Sequence, residues 1–222
     1  MNINGAIFDC DGTIVDSMGM WFSLLPDTLE EFGVVGVGDL LDSLESMSLD
    51  DELYYLEDKF DISNGNHEFV DRFYQKLRHE YKHNIKPFEG VDKLLDELYQ
   101  EGIPMVVASS TTPFEVRLCL EANGLLKYFN DVIYAGNIGR GKDYPDVYYY
   151  ALGRLNTSKK NTLVFEDAPC GVKTSYAHGF NTVCVHNDHD GRDASELNDH
   201  CVLLTEGYSN LTLNDLKEIN NV

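Results

Sequence analysis

The chain has 222 residues, 43% of them hydrophobic, which is enough for one full domain with a small insertion and a buried core. A formal net charge of −21 repels polyanions and so excludes nucleic acid and anionic membrane surfaces as default partners. The N-terminus, MNINGAIFDCDGT, carries neither a basic segment nor a long apolar run, and no stretch approaches the ~18 apolar residues of a membrane span, so a cytoplasmic location is expected.

In chain order, Ala6-Ile7-Phe8 predicts a buried strand. The sequence from 16 to 86 then carries no comparable run. Leu53, Leu56 and Phe60, and after them Phe69, Phe73, Leu77 and Tyr81, recur at helical spacing, with 61–66 as the internal loop. This predicts a small helical domain over 16–86, inserted after the first strand into a core of 1–15 and 87–222. Pro26 falls inside its first helical pattern and is expected to kink or break it. The insertion holds 16 acidic and 6 basic residues, a net of −10. Arg72, Lys76 and Arg78 repeat at helical spacing and read as a solvated face.

Val91 to Glu101 places Val91, Leu94, Leu95 and Leu98 on one helical face, and Gly102 can stop that helix. Met105 to Ala108 predicts the second strand. Thr112-Pro113-Phe114-Glu115 is a helix start with the spacing of a capping box, and Gly124 ends that helix. Val132 to Tyr134, Thr162 to Phe165 and Thr182 to Val185 predict three more strands. Helices from Asp146 to Leu155 and from Gly171 to His178 fall between them. Continuous β-branched runs without polar alternation suit strands covered on both faces, and the β-α alternation predicts an α/β fold, a doubly wound parallel sheet.

Chemistry-bearing residues follow the predicted strands. Asp9 and Asp11 come directly after the first, spaced i, i+2 and followed by Gly12, so that one carboxylate can attack while the other moves a proton. Ser109 and Ser110 follow the second strand. Lys142 lies in the polar loop Gly139 to Asp146, and Glu166-Asp167 follow the fourth strand. Open α/β sheets bind ligands in the crevice at the carboxyl ends of their strands, so these groups converge on one edge. Acids crowded there need a cation.

Other features read as structural. The five cysteines, Cys10, Cys119, Cys170, Cys184 and Cys201, form no CxxC pair and suit free thiols in a reducing compartment. His186 to Asp190 reads as a polar loop rather than a metal site. Tyr148-Tyr149-Tyr150 reads as helix packing with one exposed ring.

Taken in order, Asp9-x-Asp11-Gly12-Thr13, Ser109, Lys142 and Glu166-Asp167 resemble the four motifs of the haloacid dehalogenase superfamily, in the branch that contains β-phosphoglucomutase-like phosphatases. The insertion resembles that family's helical cap, and the resemblance covers essentially the whole chain. It implies Asp9 as a nucleophile that forms an aspartyl-phosphate and Asp11 as general acid and base. It also implies Mg²⁺ held by Asp9, the Asp11 backbone carbonyl and Asp167, with Glu166 orienting the metal shell. Ser109, helped by the Ser110 amide, would bind phosphoryl oxygens, and Lys142 would neutralise Asp9 and the phosphate. The substrate implied is a small phosphorylated metabolite, and a monomer or weak homodimer is expected. β-Phosphoglucomutases carry a basic cap residue in a Ser-Arg-Glu-like stretch, where this chain has Ser48-Leu49-Asp50. That departure favours hydrolysis, with a hexose-phosphate mutase as the alternative.

Overall fold

In the computed structural model, which describes residues 1–44, 47–63, 65–139, 141–186 and 194–219, six strands form one sheet. They are β1 (Gly5–Phe8), β2 (Met105–Ser109), β3 (Asp131–Tyr134), β4 (Thr162–Glu166), β5 (Asn181–Val185) and β6 (Leu203–Thr205), and every pairing is parallel. The order is β3-β2-β1-β4-β5-β6. The chain winds outward from β1 in one direction, then returns to β4 and winds outward in the other. Reversals of this kind open a crevice at the carboxyl ends of the central strands. Five of the strands match the sequence expectation. The sixth, at the sheet edge, is only half-buried and was not anticipated.

Alternation along the strands sends side chains to two covered faces. Phe8, Val107 and Phe165 pack with Leu94, Leu95 and Leu98 of α5 (Val91–Gln100) and with Val116 and Leu120 of α6 (Pro113–Ala122). Ile7, Val106 and Val164 face the other way, onto Val147, Tyr148 and Ala151 of α8 (Asp146–Leu155). Phe8 lies opposite Phe165 in register, and their rings stack with centroids 4.2 Å apart. A pair of this geometry is worth ~0.5–1.5 kcal/mol beyond its buried area. α7 (Ala135–Ile138) follows β3, α9 (Pro169–Ala177) follows β4, and α10 (Leu213–Glu218) ends the described chain.

Between β1 and α5 lie α1 (Met18–Glu31), α2 (Gly38–Asp42), α3 (Leu49–Phe60) and α4 (Glu68–His83), with no strand among the described residues. Leu53, Leu56, Phe69, Phe73, Leu77 and Tyr81 are buried, and their cluster is continuous with one face of the sheet. The chain enters and leaves this insertion side by side: the Asp16 amide donates to the Lys86 carbonyl at 2.9 Å, and Val15 bridges to Pro87. Pro26 does not break α1, which runs unbroken from Met18 to Glu31. Leu24, Leu25 and Leu29 beside it are buried, so tertiary packing outweighs the missing backbone bond. No helix among the described residues is long and apolar enough to cross a membrane. The loop residues 187 to 190 lie outside the described residues.

Candidate active site

Parallel strands bring their ends to one level, and Asp9, Ser109 and Glu166 sit at the ends of three adjacent strands. Asp9, Glu166 and Asp167 are all buried, and each offers one carboxylate oxygen within 4.8 Å of the others. Lys142 reaches into this group from the loop before α8. Its Nζ lies 2.5 Å from Asp9 Oδ1 and 2.8 Å from Glu166 Oε1. The Tyr148 hydroxyl, from α8, donates to the same Glu166 oxygen at 2.8 Å. Thr13 Oγ1 donates to Asp167 Oδ1 at 2.9 Å.

The electrostatics follow from three carboxylates sharing one ammonium. Burial pushes the Asp9 carboxyl well above its ordinary value, Lys142 opposes this, and Glu166, Asp167 and Asp11 add to it. Burial works against the charge on Lys142, yet Asp9 and Glu166 outweigh it and hold the ammonium above the ordinary lysine value. The pocket therefore carries more negative charge than its one lysine neutralises. Among the described residues, Glu166 Oε2 is buried without a hydrogen-bond partner. Close approach to these acids needs glycine at two positions. A Cβ at Gly12 would lie 2.2 Å from Asp167 Oδ2, and one at Gly171 would lie 2.6 Å from the Glu166 carboxylate. Spare charge, an unpartnered buried oxygen and an all-oxygen donor set together suit a hard divalent cation such as Mg²⁺.

The Asp11 side chain is not in the acid cluster. Ser17 Oγ and Tyr81 Oη donate to its Oδ1 at 2.7 and 2.6 Å, and Thr111 Oγ1 donates to Oδ2 at 3.2 Å. Those three donors come from the loop after β1, from α4 of the insertion and from the loop after β2. Ser109 Oγ accepts from the Thr111 amide at 3.0 Å, which leaves its own hydrogen to donate into the site. Ser110 lines the same cavity, and its carbonyl accepts from the Leu49 amide at 3.1 Å, joining insertion to core.

Sequence reading did not assign Thr13, Ser17, Tyr81, Thr111 or Tyr148 to the site. Tyr148 lay in the tyrosine stripe read as packing with one exposed ring; in fact Tyr149 and Tyr150 are both exposed, at 44% and 46%. Arg72 and Lys76 do not approach the site and pair with Glu31 of α1 at 2.9 and 2.5 Å. Arg78 is not merely solvated: it pairs at 2.7 Å with the buried Glu115 of α6. That contact diverts Glu115 from the expected capping box. The Thr112 hydroxyl bonds the Glu115 carboxylate and makes no side-chain cap. Cys10 is buried, and burial with the neighbouring acids pushes its thiol well up, so it is no nucleophile.

A cavity of about 500 Å³ opens over these groups. Asp9, Asp11, Ser109, Lys142 and Asp167 form one side, and the insertion forms the other.

The chain is similar to known proteins. The chain is 26% identical over 219 residues to a phosphorylated carbohydrates phosphatase of Thermotoga maritima, covering 98% of this chain and 100% of that one. The structure of a putative β-phosphoglucomutase from Thermotoga maritima superposes with a TM-score of 0.72 at 25% identity, covering 98% of this chain and 100% of that one. CbbY from Rhodobacter sphaeroides, solved with phosphate, superposes at 0.76 with 18% identity over 97% of this chain and 99% of that one, a likeness of fold. A model of the haloacid dehalogenase-like hydrolases matches residues 6–185, which span the strand ends carrying Asp9, Ser109 and Glu166, and the chain accordingly belongs to that family.

Proposed function

We propose that this protein is a Mg²⁺-dependent phosphatase that hydrolyses phosphate monoesters of small metabolites through an aspartyl-phosphate on Asp9. The observation that carries the reading is the buried Asp9 carboxylate, held 2.5 Å from the Lys142 ammonium beside two further acids. The Thermotoga relative named for phosphorylated carbohydrates supports sugar phosphates as the starting class.

A carboxylate oxygen of Asp9 attacks phosphorus in line, and the bond from phosphorus to the ester oxygen breaks. The departing oxygen takes its proton from Asp11. Water then attacks the phosphoryl group, gives a proton back to Asp11, and the bond from Asp9 to phosphorus breaks, releasing inorganic phosphate. Proton transfer of this kind is typically worth ~10²–10⁴-fold. Ser109 donates its hydroxyl to a phosphoryl oxygen. Lys142 has a third N–H beyond those facing Asp9 and Glu166, and directs it at the same group. Asp9, Asp167 and Glu166 would hold the Mg²⁺, which when bound keeps Asp9 ionised and offsets phosphoryl charge. Residues 16–86 act as the lid that keeps bulk water away from the reacting group.

Hydrolysis is favoured over mutase chemistry by the cavity wall. Leu49, buried at 5% exposure, lines it where a mutase with two phosphates to hold needs a cation. Asp9→Asn tests the reading: hydrolysis of phenyl phosphate with Mg²⁺ should fall at least ~10³-fold while thermal unfolding stays within a few degrees of wild type. Retained turnover ends the proposal. Supplying β-glucose 1-phosphate should release free phosphate, not glucose 6-phosphate.

A further inference from the structure

The wall of the cavity facing Asp9 belongs to the insertion, and the reaction above does not use it. Trp21, Leu25, Leu41, Met47 and Leu49 make it apolar, and among them lies one ionisable group, Glu52, on the first turn of α3. Among the described residues the Glu52 carboxylate forms no hydrogen bond or ion pair. Burial pushes it up to about 7. Lys142 is the only cation among the described residues lining the cavity, and it is held by Asp9 and Glu166. Three basic residues of α4 are spent elsewhere: Arg72 and Lys76 on Glu31, Arg78 on Glu115.

An alcohol entering this space meets a greasy surface and one carboxyl without a partner. Among the described residues, a second phosphate or a carboxylate on that alcohol would find no free counter-charge there and would face Glu52 across an apolar wall. Where Glu52 is ionised, such like charges repel each other. An ammonium would supply the missing partner and convert an isolated, half-buried acid into a charge-assisted pair.

We propose that the cavity selects the monophosphate ester of an amine-bearing alcohol with an apolar body, the ammonium pairing with Glu52, and that it rejects alcohols carrying a second anionic group. The inference rests on the phosphatase reading and moves its substrate class from sugar phosphates to phosphates of amine-bearing, less polar alcohols.

Four aryl phosphates of matched shape test it with the Mg²⁺-loaded enzyme: phenyl, 4-(hydroxymethyl)phenyl, 4-(aminomethyl)phenyl and 4-carboxyphenyl phosphate. Wild type should favour the aminomethyl over the carboxy compound in kcat/KM by roughly tenfold or more. Glu52→Gln should bring that ratio within about twofold to threefold of unity, mainly through KM for the amine; Glu52→Ala serves if the first variant does not fold. Equal wild-type rates for the two charged compounds, or a ratio unchanged in the variants, overturns the inference while hydrolysis of phenyl phosphate leaves the phosphatase reading standing. No hydrolysis of any of the four overturns both.

Discussion

Glu52 has a further consequence that does not depend on any substrate. Its carboxyl ionises near 7 in the folded chain, against an ordinary value of 4.5. The folded state therefore holds this proton more tightly than the unfolded state. Its contribution to stability is fully present below about 4.5 and is lost as pH rises through about 7. Glu52→Gln removes the titration, so the variant should gain in melting temperature over wild type as pH rises from 5 to 8 and then level off. A difference independent of pH would contradict the burial argument. Lys142 makes the opposite case. Lys142→Met leaves three buried acids with no cation, and removing one partner of such a cluster costs ~3–5 kcal/mol. Millimolar Mg²⁺ should recover part of that loss in denaturant titrations, more than it stabilises wild type. At this scale the sequence was most readable where chemistry follows a strand: Asp9, Ser109, Glu166 and Asp167 all do. The partners of Asp11 were hidden. Tyr81 continues the stripe of Phe69, Phe73 and Leu77, so its spacing reports only burial. Its hydroxyl meets a group 70 residues away in the chain, and no local pattern encodes that contact.

Among the elements, the junction of α4 with α6 is a point where insertion and core hold each other. Arg78 of α4 is half exposed while Glu115 of α6 is buried, so Glu115 Oε1 depends on the arginine for its partner while Oε2 keeps the Thr112 hydroxyl. Arg78→Ala should cost ~1–3 kcal/mol in urea unfolding, the range for leaving a buried polar group unsatisfied. Arg78→Lys should recover less than half, because a lysine cannot present the two guanidinium nitrogens that now face Glu115 Oε1. The same junction explains why a capping box legible in Thr112 and Glu115 does not form: Arg78 of the insertion engages one carboxylate oxygen and the Thr112 hydroxyl the other, in place of the backbone amide. Pro26 is a second override, in which buried leucines keep α1 continuous. β6 went unread for a different reason. It is three residues long and half-buried, so it lacks the apolar run that marked the five inner strands.

For the whole molecule, the net charge of −21 opposes the approach of any phosphate ester, although the site itself presents Lys142. Repulsion of this range is screened as the Debye length shrinks from ~30 Å at 0.01 M to ~8 Å at 0.15 M ionic strength. The kcat/KM for phenyl phosphate should therefore rise roughly twofold or more over that range at fixed Mg²⁺. A fall would mean that local attraction outweighs the global field. The double backbone crossing at 15–16 and 86–87 has a mechanical meaning as well. The two chain segments that join the insertion to the core run side by side and are bonded to each other there. The Tyr81 hydroxyl of α4 holds Asp11, so on the proposed mechanism the seating of the insertion also sets the aim of the proton donor.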